Sequence, residues 1–147
     1  SPSLRERLPP NSFVFRISLV VLMVKVLIVG AGGFLGSVLR YLTVVGVQGY
    51  LDRPWWPWGT FVVNMTGCLA IGVVAGLVDV KGLFGPETRV FLMMGLLGGF
   101  TTFSAFGYET LGLLRDGRMA AAAANIVLSV IVGVAAAFVG YKTGGLM

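Results

Sequence analysis

Three long stretches of this chain contain no Asp, Glu, Lys or Arg. They are the 25 residues between Arg53 and Asp79, the 19 between Arg89 and Glu109, and the 23 between Arg118 and Lys142. A helix that crosses a bilayer needs about 20 predominantly apolar residues, so each gap predicts one membrane span. Composition agrees: 56% of the 147 residues are apolar and 12% are charged. That is about half the charged share of a soluble domain.

The first span is less evident, because only 14 residues separate Lys25 from Arg40. Two readings lengthen it. Lys25 and Arg40 can snorkel from its ends, or the apolar residues 13–24 can extend it on the N-terminal side. A cleaved leader with Arg16 before the short apolar core 17–24 is disfavoured, because no small-residue cleavage site follows. Met23 would serve as an alternative start. Residues 1–22 then form an N-terminal extension, loose around Pro9-Pro10 or lengthening the first helix, and 23–147 form the four-span domain. The expected fold is an all-α membrane protein with spans near 26–47, 59–78, 89–114 and 119–141. The connectors 79–88 and 115–118 are short, which makes successive helices antiparallel neighbours. The loop 48–57 carries Tyr50, Trp55 and Trp56, with Trp58 just beyond, a cluster suited to the headgroup region.

Several function classes are excluded early. There is no histidine and one cysteine, Cys68, which removes histidine acid–base catalysis, histidine metal sites and an intrachain disulfide. Cys68 reads as a small packing residue. The net charge of +5 comes from residues scattered among helix ends, a membrane pattern and not a nucleic-acid stripe. Gly30, Gly33 and Gly36 after an apolar run have the spacing of a phosphate-cradling nucleotide turn. That turn needs an acid about 20 positions on, closing a second strand. The nearest acid, Asp52, sits in a Trp/Pro loop, and no Tyr-x-x-x-Lys pair follows, so no nucleotide is expected. Small residues at Gly32 and Gly36, Gly72 and Gly76, 120–124, Gly133 and Gly140 suit close packing of helices in lipid.

Loop charges carry a topological message. Counted from Met23, one side holds Lys25, Lys81, Arg89 and Lys142, and the other holds Arg40, Arg53, Arg115 and Arg118. Four against four gives no positive-inside preference, so the chain can insert in both orientations. Arg5, Arg7 and Arg16 change the balance to seven against four.

The segment 98–106 carries the chemistry. Adjacent Gly98 and Gly99 weaken a helix, and the hydroxyls of Thr101 and Thr102 compete for its backbone bonds. A break at mid-bilayer frees backbone groups that only protein, water or an ion can satisfy, and transporters build ion sites from such breaks. A helix merely kinked against glycine is the plainer alternative. Phe103 and Phe106 share a helical face. Their electropositive ring edges could meet a small anion, or the two rings could simply be core. Polar residues also fall inside the spans: Thr60, Asn64 and Thr66, then Ser104, then Asn125 and Ser129. Thr60 with Asn64, and Asn125 with Ser129, are each four apart and share a face. Neutral donors with no intramembrane acid fit passive anion passage better than proton coupling. Arg40 and Glu109, near span ends, either shape a vestibule or anchor the helices.

Over about residues 24–143 the chain resembles the Fluc/CrcB fluoride channel family. The motifs are Gly32-Gly33-x-x-Gly36-Ser37-x-x-Arg40-Tyr41, Gly59-Thr60-x-x-x-Asn64-x-x-Gly67, and Gly98-Gly99-x-Thr101-Thr102-Phe103-Ser104-x-Phe106. Glu109 follows, and a small-residue fourth helix bears Ser129. The resemblance implies a non-enzymatic, passive fluoride channel in the plasma or inner membrane that exports fluoride and relieves its toxicity. It implies a dual-topology antiparallel homodimer with two pathways and a structural sodium ion that is not transported. The backbone carbonyls of Gly98 and Thr101 would hold the sodium. Asn64, Phe103 and Phe106, with the hydroxyls of Thr60, Ser104 and Ser129, would line the path, and Arg40 and Glu109 the vestibule. Gly133, where many relatives carry a hydroxyl, and Asn125, where some carry an aromatic, depart from the pattern. A small multidrug-type exporter needs an acid in the first span, and none lies between Lys25 and Arg40. A scaffold without transport is the other alternative.

Overall fold

A computed structural model describes residues 12–51 and 55–147. Among the described residues four helical units are each long and apolar enough to cross a membrane. The first, α1, runs unbroken over Ser12–Tyr50. Its 39 residues measure about 58 Å at about 1.5 Å per residue, well beyond the roughly 30 Å hydrocarbon core. The helix passes straight through Lys25, which is exposed. Residues 12–22 therefore belong to the helix and are not a loose tail, because they contain no glycine or proline to interrupt it. Residues 1–11, with Pro9-Pro10, lie outside the described residues, as do Asp52 and Arg53.

The second span, α2, covers Trp58–Asp79. The third opens on α3, Pro86–Arg89, whose proline starts the helix where no amide partner is needed. It continues as a π-helical stretch, Val90–Leu97, and one last turn, α4, Gly98–Phe100. After Thr101 and Thr102 the chain resumes as α5, Phe103–Arg115. The fourth span, α6, covers Met119–Leu146. The turn between α5 and α6 needs its glycine. Gly117 has φ +71°, its amide donates to Leu114 O at 3.1 Å, and the Arg118 amide donates to Leu113 O at 2.8 Å. This is the paired C-terminal closure that a left-handed residue permits.

Helix pairing follows the small residues. The most extensive packing joins α2 to α6, and α1 packs on the first half of the third span. A Cβ on Gly72 would collide with the Ala137 carbonyl, and one on Gly76 with that of Tyr141; on Gly140 it would strike the Leu69 carbonyl. On the other pair, a Cβ on Gly32 would lie 2.8 Å from Leu96 N, and one on Gly36 would overlap Leu96 O. These backbones touch because no side chain separates them, which is how helices associate where lipid removes the usual hydrophobic drive. Gly133 differs: a Cβ there meets only the tips of Met65 and Cys68, at 3.3 and 3.4 Å. Gly30, Gly33 and Gly36 all lie inside α1. The described residues contain no strand, so the strand-turn-helix setting of a nucleotide turn is missing.

The tryptophan loop divides in two. Trp55 is exposed, with the Arg118 guanidinium 5.8 Å above its ring, as an interfacial residue should be. Trp56 is buried instead. It packs edge-on against Trp58 and Phe61, with centroids 4.6 and 5.0 Å away, and against Leu113 and Ala122. Interfacial anchoring is therefore corrected for Trp56: its indole donates toward Ala121 O at 3.4 Å and closes one end of the bundle.

Candidate functional site

The third span is interrupted at two residues. Thr101 (φ −77°, ψ 159°) and Thr102 (φ −151°, ψ 122°) are extended, between the helical turn Gly98–Phe100 and α5. The break falls on the threonines, one turn later than the glycine pair suggests. Gly98 and Gly99 remain helical, and Gly99 serves packing: a Cβ there would lie 2.6 Å from the Gly33 carbonyl of α1. The extended threonines leave backbone groups without helical partners, and those groups must be satisfied inside the membrane.

Asn64 of α2 satisfies both groups of Thr102. Its Nδ2 donates to Thr102 O at 3.0 Å, and its Oδ1 accepts from the Thr102 amide at 2.9 Å. A carboxamide is suited to this, with a donor and an acceptor side by side. The Thr102 hydroxyl then caps α5 by accepting from the Ala105 amide at 3.2 Å, and it lies 3.3 Å from Ser104 Oγ. The Thr101 amide and hydroxyl both donate to Leu97 O. Thr101 O accepts from Arg40 Nη1 at 3.3 Å. Arg40 is thus beside the break, where the sequence left a choice between vestibule and anchor. In an unbroken helix the Thr102 amide would bond to the Gly98 carbonyl. Its diversion to Asn64 deprives that carbonyl of its helical donor.

A cavity of about 380 Å³ adjoins the break. Asn64, Gly98, Thr101, Phe103, Phe106 and Ser129 all border it. Phe103 and Phe106 stand 5.5 Å apart, their rings inclined at 42°. Phe103 is 84% exposed on this single chain, so its ring is not core packing of the subunit. Thr60, Ser104, Arg40 and Glu109 do not border this cavity. Thr60 is buried and donates to Glu109 Oε1 at 2.6 Å, while Glu109 Oε2 is buried without a hydrogen-bond partner. Glu109 borders a second cavity of about 270 Å³ near Gln48, Trp56 and Arg118.

Three contributors carry little or no signal in the sequence. Met65 and Met93 line the cavity beside the break, but a methionine in an apolar span carries no distinguishing signal. Thr110 accepts from Asn125; its position beside Glu109 was the one available hint. Gly67 stands in the sequence only as part of the second motif. A Cβ there would collide with Thr101 Cγ2, so Gly67 leaves room for the break itself. Gly67→Ala is expected to displace Thr101 and lower ion flux about tenfold, the scale of a buried overpacking strain. Flux from reconstituted vesicles checks it, and wild-type flux would show that the break tolerates the methyl group.

Fold and site define a class: a multi-pass membrane protein whose third span is interrupted beside a cavity of phenylalanine, amide and hydroxyl groups. Residues 27–141 match the family described as CrcB-like protein, Camphor Resistance (CrcB), and the chain belongs to that family. Among curated relatives, a protein of Methylobacillus flagellatus is 47% identical over 121 residues, covering 82% of this chain and 94% of the relative. One from Rhizobium meliloti is 49% identical, covering 80% and 94%. One from Thermus thermophilus is 43% identical, covering 84% and 95%. All three are named fluoride-specific ion channel FluC. They are channels by name and not enzymes, in agreement with the sequence.

Proposed function

We propose that this chain forms a passive, fluoride-selective channel in the cell membrane, plasma or inner, through which fluoride leaves the cytoplasm and its toxicity is relieved. The observation that carries this reading is the break clamped by Asn64. It puts the start of α5, with Phe103 and Phe106, at the wall of the cavity. A small, strongly hydrated anion needs donors to replace its water. The site offers the Asn64 amide, hydroxyls and electropositive ring edges. The N-terminus of α5 adds the positive end of its dipole at the same place. Among the described residues no carboxylate borders the cavity beside the break, which favours passive flow over coupling.

The working unit in this reading is an antiparallel homodimer. The four-against-four loop charge counted from Met23 and the exposed Phe103 support it. A structural sodium ion would lie where two breaks meet, on the carbonyls of Gly98 and Thr101 from each copy. The donor set fits a hard cation: the Gly98 carbonyl has lost its helical donor, and the long bond from Arg40 leaves a lone pair on Thr101 O. Among the described residues no group of three or more His, Cys, Asp or Glu could hold a metal, so carbonyl oxygens are the available ligands. When bound, the ion supplies positive charge between the two paths. Asn64 holds the threonines so that the carbonyls keep their spacing.

The test is fluoride efflux from reconstituted vesicles, read by an ion-selective electrode. Fluoride is expected to pass far faster than chloride, and Phe103→Ile to abolish the difference by removing the ring edge. Equal chloride and fluoride flux would overturn the reading.

A further inference from the structure

A buried asparagine in the fourth span calls for more than a packing explanation. Asn125 is 2% exposed and, with Val63, is the largest fully buried side chain among the described residues. A carboxamide is a costly filler where no water can satisfy it. Its Nδ2 donates to Thr110 Oγ1 at 2.8 Å. Thr110, itself buried, donates in turn to the Phe106 carbonyl at 2.7 Å. A hydroxyl has one proton. With that proton committed to Phe106 O, Thr110 offers only lone pairs to α6, so the amide must present its nitrogen. The relay has one direction: Asn125 to Thr110 to the backbone of Phe106.

The half-helix α5 depends on such links. The break disconnects it from the first half of its own span, so the turn into α6 and the packing of Leu113 hold its C-terminal end, and side-chain bonds from other helices hold the rest. Asn64 holds its N-terminal end from α2, Thr60 reaches Glu109 from α2, and Asn125 is the bond from α6. Asn125 does not border the cavity that holds Asn64, Phe106 and Ser129, so it does not touch an ion there.

We infer that Asn125 is a positioning residue for permeation: through Thr110 it sets the rotation and depth of α5, and with them the place of the Phe106 ring on the path. This rests on the channel reading proposed above. The test measures fluoride efflux from vesicles for Asn125→Leu, Thr110→Val, Thr110→Ser, the Asn125→Leu/Thr110→Val double variant and Phe106→Ile. Elution profile and thermal midpoint are recorded for each.

Asn125→Leu and Thr110→Val are each expected to lower fluoride efflux about tenfold, the scale of one lost buried bond. The double variant should lose no more than either single one, since all three cut the same relay. Thr110→Ser keeps the hydroxyl and should restore efflux at an unchanged midpoint. The Val and Ser pair reads the link from the α5 side, which keeps the inference open to refutation even where Asn125→Leu fails to reconstitute. Wild-type efflux in Asn125→Leu, multiplied losses in the double variant, or Thr110→Ser as impaired as Thr110→Val would each overturn it. Phe106→Ile separates the two levels. If it abolishes flux while Asn125→Leu does not, only the positioning role fails. If it leaves flux intact, the path along Phe106 fails.

Discussion

Asn64→Asp is expected to reduce fluoride efflux about a hundredfold. The aspartate can still accept from the Thr102 amide, but it turns a lone pair toward Thr102 O, where Nδ2 now donates at 3.0 Å. A satisfied carbonyl becomes a repelled one inside a membrane span. The added negative charge also faces the anion path. At about 6 Å and an effective dielectric constant of about 20, two unit charges repel by about 3 kcal/mol, roughly a hundredfold in occupancy. Electrode traces from vesicles of matched protein content measure this. Undiminished efflux from Asn64→Asp vesicles would mean that neither the clamp nor the path runs past this side chain.

The largest loss of stability is expected at Gly36. A Cβ at that position overlaps Leu96 O and lies 2.7 Å from Phe100 N and 3.0 Å from Gly99 C. These are backbone atoms of the third span immediately before the break, and no rotamer change can move them aside. Gly36→Val must therefore push the first and third spans apart, at about 3 kcal/mol, the upper end of ordinary overpacking. A lowered thermal midpoint in detergent and a broadened elution peak are the expected results. Gly30→Val is the control, since a Cβ at Gly30 meets nothing within 4 Å. Equal midpoints for the two variants would refute the close approach at Gly36.

Much of this architecture is legible in the chain. Spans two, three and four each follow a charge-free gap, the third running on through Glu109 to Arg115 and the fourth to Leu146, because a charged side chain cannot be left at the centre of a bilayer without a partner. The first span resists that rule. Lys25 divides its apolar run, yet a lysine on a lipid-facing helix can keep its ammonium at the interface, so the helix continues to Ser12. The break is legible in kind but not in its exact place. Glycine propensity points to Gly98 and Gly99, yet both stay helical, Gly99 packed on Gly33, and the threonines yield. An exposed and a buried tryptophan look alike in a loop, so nothing local separates Trp56 from Trp55. Spacing along the chain puts Arg40 near a span end and no more; the break in the third helix brings Thr101 O to it across 61 positions of sequence.

By itself, the sequence determined the number of spans, the absence of histidine and disulfide chemistry, the helix faces that pack through glycine, and the segment that could not remain a regular helix. Those follow from local rules: the charge a bilayer tolerates, the backbone freedom of glycine, the competition of hydroxyls for helical bonds. Only the tertiary structure decided which groups the interrupted helix gives up and which side chains take them: Asn64 on Thr102, Arg40 on Thr101, Asn125 through Thr110 on Phe106. Each of those links reaches from one helix to another, and the packing of the spans, not the spacing along the chain, brings donor and acceptor within reach.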